Sequence, residues 1–164
     1  MNYAKRENFL VFGAPLIEEE EIEEVLKTLR SGWIGKGPKT LQFEMDFAAY
    51  AHSEYAIALS SCTAALHLAL IVLGIGPGDE VIVPAMTFCA TANAVIHAGA
   101  TPVIVDVEKG SQLISVSAIE SAVSPRTKAI IPVHLGGRVC AMEEILALAK
   151  KNNLFVIEDA AHAI

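Results

Sequence analysis

Three short stretches of this 164-residue chain carry side chains that could do chemistry. The turn Ser60-Ser61-Cys62-Thr63-Ala64-Ala65 separates two apolar runs. With a strand before it and a helix after it, hydroxyls and free backbone N–H groups converge at the positive end of a helix dipole, which suits a phosphate. The same residues would serve equally as an ordinary N-cap. Asp159 closes the apolar run Phe155–Glu158 and would stand at the carboxyl end of a strand. A carboxylate there can hold a heterocyclic nitrogen protonated through a charge-assisted hydrogen bond, or it can be a loop acid or helix cap. His162, three residues on, would lie on the same side if the chain turns helical, and it also reads as a structural histidine. Phe88 is expected to open a helix after Pro84, where it would either offer a flat face to a ring or join the core.

Other motifs fail. Gly32 and Gly37 have the glycine spacing of a phosphate-binding P-loop, but Pro38 stands where that loop needs lysine. Gly74-Ile75-Gly76-Pro77-Gly78 lacks the third glycine of a dinucleotide fingerprint and precedes a strand instead of following one. Cys62, Cys89 and Cys140 are odd in number and far apart, so free thiols in a reducing compartment are expected and no metal site.

The elements that must position these groups follow from periodicity. Ile22, Val25, Leu26 and Leu29 predict an amphipathic helix over Glu18–Arg30, stopped by Ser31-Gly32. A second helix carries Phe43, Phe47 and Tyr50 on one face. From Tyr55 the pattern changes to short apolar strands alternating with helices. Strands are expected at Tyr55–Leu59, Glu80–Pro84, Pro102–Asp106, Lys128–Val133 and Phe155–Glu158. Helices are expected at Thr63–Leu73, Phe88–Ala98, Ser117–Val123 and Met142–Asn152. The first of these is apolar nearly all round and should be buried. Ser117 and Glu120 have the spacing of a capping box. This rhythm predicts an α/β fold of three layers, α/β/α, with a mainly parallel sheet. Residues 1–54 form an N-terminal helical segment and 55–164 belong to the α/β unit.

A net charge of −7, with six Glu in the seven positions 18–24 and no Lys/Arg cluster, argues against nucleic acid as a partner. The charge-free runs Tyr55–Gly78 and Val81–Val105 are long enough to span a membrane, but polar residues, glycines and prolines interrupt both. Buried α/β core fits them better, so no membrane partner is expected. No secretory signal is visible, and the chain reads as cytoplasmic. The chain stops at Ile164 just after a predicted strand, which suggests the first part of a longer protein.

Together the residues resemble the DegT/DnrJ/EryC1/StrS sugar aminotransferases, pyridoxal 5'-phosphate enzymes of the aspartate-aminotransferase fold (fold type I). The likeness rests on Ser31-Gly32-Trp33-Ile34 with Gly37-Pro38, Thr63 to Leu70, Gly76-Pro77-Gly78-Asp79-Glu80-Val81, Thr87-Phe88 with Ala90-Thr91-Ala92-Asn93, and Glu158-Asp159-Ala160-Ala161-His162-Ala163. It runs in order along almost the whole chain.

The resemblance implies that Thr63 and Ala64 bind the cofactor phosphate, Phe88 stacks on the pyridine ring and Asp159 pairs with the ring nitrogen. His162, where the family commonly has Gln and sometimes His, would lie beside the cofactor's phenolic oxygen. The implied reaction moves an amino group, usually from glutamate, onto a nucleotide-linked keto-sugar in amino-sugar or cell-surface polysaccharide biosynthesis. The enzyme would be a homodimer or larger oligomer. Three departures stand out: Cys62 where the family usually has Gly, Gly136 for a usual aromatic, and Ala141 for a usual Asp that would cap a helix. None of the lysines present matches the family's Schiff-base lysine, which is expected beyond Ile164, so this chain alone is expected to be inactive. A related sugar dehydratase with His at the lysine position, or a non-catalytic regulatory relic, are the other readings.

Overall fold

A computed structural model describes residues 13–163. The sequence features of residues 1–12, including the absence of a signal peptide, lie outside the described residues. The chain divides between Ala58 and Leu59 into two compact units.

The first unit contains helices α1 (Glu19–Ser31) and α2 (Pro38–Tyr50). Glu18 and Glu21 form a reciprocal capping box at the start of α1, and the acidic first turn complements the helix dipole. Gly32 ends α1 in the left-handed conformation, φ 73°, which a side chain would disfavour. Of the apolar stripe, Ile22, Val25 and Leu29 are exposed. Between the helices the Trp33 indole N–H donates to the Lys36 carbonyl at 2.9 Å and lies against Gly37, where any Cβ would collide with the ring. Phe43 and Phe47 share a face of α2, their ring centroids 5.8 Å apart.

The second unit is a four-stranded sheet with helices on both faces. Its strands are β1 (Glu80–Pro84), β2 (Thr101–Val105), β3 (Thr127–Ile130) and β4 (Phe155–Val156). They lie in the order β2-β1-β3-β4, and every pair is parallel. The helices are α3 (Cys62–Val72), α4 (Ala90–His97), α5 (Val116–Ala122) and α6 (Met142–Asn152). Alternation along the strands assigns each face. Val81, Val83 and Ala129 pack with Leu66 and Leu70 of α3 and Ala94 and Val95 of α4. Ile82, Val105 and Ile130 pack with Ile119 of α5 and Ile145 and Leu148 of α6. A strand covered on both faces must be apolar throughout, which is why β1 reads Val-Ile-Val without a polar alternate. The expected three-layer α/β/α arrangement with a parallel sheet is therefore present.

The chain leaves β1 for β2 on one side and β3 for β4 on the other. The strand order thus reverses between β1 and β3, and a crevice opens beyond their carboxyl ends. No helix among the described residues is long and apolar enough to cross a membrane.

Four local expectations are corrected. Tyr55–Leu59 forms no strand, because a strand exists only through its ladder and no pairing involves it among the described residues. Helix α3 buries one stripe, Leu66 and Leu70, while Leu68, Ile71 and Val72 are exposed; apolarity all round did not translate into burial all round. Helix α5 starts at Val116 behind Ser115, with no side-chain cap, and Ser117 Oγ pairs with Ser115 Oγ at 3.0 Å instead of forming the capping box. Phe88 does not open α4: the N-cap is Cys89, so Phe88 belongs to the β1–α4 connection.

Candidate functional site

The first turns of α3 and the residues that follow β1, β3 and β4 meet in one cleft. It is lined by Cys62, Thr63 and Leu66, by Thr87, Phe88 and Ala90, by Val133 and Leu135, and by Asp159, Ala161 and His162. Of the five sequence-predicted site residues, four line it directly. The fifth, Ala64, sits in the first turn of α3 next to Thr63. A larger opening near Ser124, Lys128, Asn152 and Phe155 lies at the amino ends of β3 and β4, away from these groups. Ligands of open α/β sheets bind at the carboxyl ends, so the smaller cleft is the functional candidate.

Helix α3 begins at Cys62 because Ser61 caps it. Ser61 is extended, and its Oγ accepts the Ala64 N–H at 3.1 Å. The Ala65 N–H already donates to the Ser61 carbonyl at 3.1 Å. The amides of Cys62 and Thr63 have no acceptor among the described residues. An anion at this helix end would meet those two N–H groups and the Thr63 hydroxyl, and would reach the Ala64 amide only in exchange for Ser61.

Asp159 is fixed from all sides and is only 5% exposed. Its backbone continues the sheet by one bridge to Val133: Asp159 N–H donates to the Pro132 carbonyl at 2.9 Å, and His134 N–H donates to the Asp159 carbonyl at 3.1 Å. Its Oδ2 accepts from Thr91 Oγ1 at 2.7 Å. Its Oδ1 accepts from the Ala161 N–H at 3.3 Å and, more weakly, from the Cys62 thiol at 3.7 Å. Burial pushes the Cys62 thiol up from its ordinary value, and the Asp159 charge adds to that, so the thiolate is disfavoured at Cys62.

His162 lies in the turn after Asp159, closed by the Ala163 N–H to the Ala160 carbonyl at 2.9 Å. Its Nδ1 accepts the Gly136 N–H at 3.2 Å. A neutral imidazole with Nδ1 as acceptor carries its proton on Nε2, so the ring offers a donor on its far side. Gly136 makes this contact from a left-handed conformation, φ 63°, that favours glycine. Phe88 is 71% exposed, so its ring is not a core residue but a free flank of the cleft.

Three contributors were not singled out from the sequence. Thr87 in the β1–α4 connection and Thr91 in the first turn of α4 hold their hydroxyls 2.7 Å from each other. Two threonines four apart carry no signal by themselves, and only the fold aims Thr91 at Asp159. His134 is buried and accepts the Cys140 N–H on Nδ1 at 3.2 Å, so its Nε2–H faces Glu158 Oε2 at 2.8 Å and pins the segment next to Asp159. Helix α6 has no side-chain cap at Ala141, consistent with the small residue there.

The chain is similar to known proteins. Residues 15–164 match the model of the DegT/DnrJ/EryC1/StrS aminotransferase family. The spore coat polysaccharide biosynthesis protein SpsC of Bacillus subtilis (strain 168) is 56% identical over 160 residues, 98% of this chain and 41% of that protein. Among solved structures, the putative sugar aminotransferase Spr1654 from Streptococcus pneumoniae in its PMP form superposes with a TM-score of 0.91 at 41% identity, covering 94% of this chain and 43% of the other. The aminotransferase from Psychrobacter cryohalolentis gives 0.89 at 43% identity, covering 92% and 38%. The chain therefore spans about two fifths of the length of the relatives it matches and belongs to the DegT/DnrJ/EryC1/StrS aminotransferase family.

Proposed function

We propose that this chain supplies the cofactor grip of a pyridoxal 5'-phosphate enzyme that transfers an amino group, from glutamate, to a nucleotide-linked keto-sugar in amino-sugar or cell-surface polysaccharide biosynthesis. The observation that carries the reading is Asp159: a buried carboxylate beyond the carboxyl end of β4, with a helix N-terminus, an open aromatic face and a histidine donor in the same cleft. Similarity to Spr1654, which has been solved in PLP and PMP forms, supports the same cofactor here.

The residues fit the group by the chemistry of its parts. The unpaired amides of Cys62 and Thr63 and the Thr63 hydroxyl suit the phosphate, with Ala64 completing the turn. Phe88 would cover one face of the ring. Asp159 Oδ1 has only a weak thiol and a long amide as partners, so it can accept a ring N–H. His162 Nε2–H would donate to the phenolic oxygen. When bound, the cofactor supplies an electron sink for chemistry at an amino-bearing carbon. Asp159 keeps that sink effective by holding a positive charge on the ring nitrogen, and its burial strengthens the interaction.

Among the described residues no lysine lines the cleft. This stretch by itself would then bind the cofactor through its phosphate and ring without turning over substrate. The whole enzyme would act as a homodimer or larger assembly on its sugar and amino donor.

Calorimetric titration with pyridoxamine 5'-phosphate tests the proposal. The protein should bind it, and Asp159→Ala should weaken binding by about tenfold or more, the scale of one lost charged hydrogen bond. Absence of binding, or equal binding by Asp159→Ala, would overturn the reading.

A further inference from the structure

Asp159 could pair with a ring nitrogen only if its carboxylate is held in one orientation. A pair of threonines supplies the means: Thr87 reaches the wall of the cleft, and Thr91 does not line it. Thr91 is wholly buried on the inner face of α4, and its Oγ1 sits 2.7 Å from Asp159 Oδ2. A carboxylate only accepts, so Thr91 must spend its single hydroxyl proton on Asp159. The 2.7 Å contact between Thr91 Oγ1 and Thr87 Oγ1 then has one possible polarity: Thr87 donates and Thr91 accepts. The proton order is Thr87 to Thr91 to Asp159. Each hydroxyl in such a chain polarises the next, and the final bond is to a charge.

We infer that Thr91, oriented by Thr87, is the positioning residue of this site: it occupies Asp159 Oδ2 and so leaves Oδ1 as the oxygen presented to a ring nitrogen. The division of the two oxygens is visible in the contacts. Oδ2 has the short, buried, fully committed bond, whereas Oδ1 has the Ala161 N–H at 3.3 Å and the Cys62 thiol at 3.7 Å. A thiol is a weak donor, and a protonated ring nitrogen would displace it at little cost. Thr91 touches no ligand in this arrangement. It acts through Asp159, and Thr87 acts through Thr91. The inference rests on the reading of Asp159 as the ring-nitrogen partner.

Two substitutions separate positioning from packing. Thr91→Val keeps the shape and removes the hydroxyl; Thr91→Ser keeps the hydroxyl and removes a methyl group. Pyridoxamine 5'-phosphate should bind Thr91→Val about tenfold more weakly than the wild type, and Thr91→Ser within about threefold of it. A ligand-free readout accompanies this. The Ala161 amide donates to Asp159 Oδ1, so its NMR resonance reports the carboxylate's orientation. It should move in Thr91→Val and stay in Thr91→Ser. The inference is overturned if Thr91→Val leaves both affinity and resonance unchanged, or if Thr91→Ser does the same damage as Thr91→Val, which would make the role one of packing. If the wild-type protein binds no pyridoxamine 5'-phosphate, the cofactor reading falls, and the Ala161 resonance alone decides whether the hydroxyl chain orients Asp159.

Discussion

The Cys62 sulfur lies 3.7 Å from Oδ1 of Asp159, a residue 97 positions further along the chain. The pair joins the first turn of α3 to the segment after β4, and it places a neutral thiol against the oxygen left open by Thr91.

That contact sets the reactivity of Cys62. Burial raises its pKa first and the Asp159 charge second, so little thiolate is present at neutral pH. Asp159→Asn removes the charge and keeps the shape. Alkylation of Cys62 by iodoacetamide at about pH 8 should then run several-fold faster than in the wild type. Peptide mass spectrometry distinguishes Cys62 from Cys89, which is exposed as well. An unchanged rate at Cys62 would mean that Asp159 does not govern the thiol.

His162 makes a different demand. Its Nδ1 is committed to the Gly136 N–H, so whatever it offers the cleft is a donor on Nε2. Glutamine also offers a donor, and leucine offers none. Affinity for pyridoxamine 5'-phosphate should stay within about threefold in His162→Gln and fall about tenfold in His162→Leu. Equal affinities in the two variants would remove His162 from the ligand contacts.

Glu80 ties the amino end of β1 to the loop before β3. The Ser124 hydroxyl, then the Arg126 guanidinium, hold its carboxyl below the ordinary value, with Arg126 Nε at 2.9 Å from Oε1. A carboxylate with a lowered native pKa stabilises the fold above its unfolded value and loses that contribution as pH falls through the native one. The melting temperature of Glu80→Gln should therefore lie below that of the wild type at neutral pH. The gap should close on acidification below about pH 4. A gap independent of pH would assign the effect to shape instead of charge.

Ile82 sits at the centre of β1, fully buried, and packs on the face covered by α5 and α6. Ile82→Ala should cost about 2–5 kcal/mol in chemical denaturation, by lost transfer energy and an unfilled cavity. Because Ile82 faces away from the α3 and α4 side, its loss should reach the cleft only through global stability.

Most of the framework was legible in the sequence because it depends on local rules. The span Met142–Asn152 and the span Glu80–Pro84 were read to the residue. The first has an amphipathic period and the second an apolar run between turn residues, and neither needs a distant partner to be recognised. The capping-box reading at Ser117 failed because Ser115 and Ser117 compete for the same helix start and bond each other. Tyr55–Leu59 failed for a deeper reason: its composition is that of a strand, but strand formation is a property of a pair, and composition says nothing about which neighbour is present.

The site divides in the same way. Residue types and spacing marked the turn at Thr63 and Ala64, Phe88, Asp159 and His162 as candidates with ordinary structural roles still open, and only the family resemblance gave them cofactor roles. What those residues do to one another was settled only by the parallel order β2-β1-β3-β4, which brings the ends of β1, β3 and β4 to one crevice. The sheet places Thr91 against Asp159, 68 residues away, and Gly136 against His162, 26 residues away. A one-dimensional pattern fixes which face of an element is apolar. The direction of a hydroxyl proton, the tautomer of an imidazole and the free oxygen of a carboxylate depend on atoms that only the folded sheet brings within hydrogen-bonding distance.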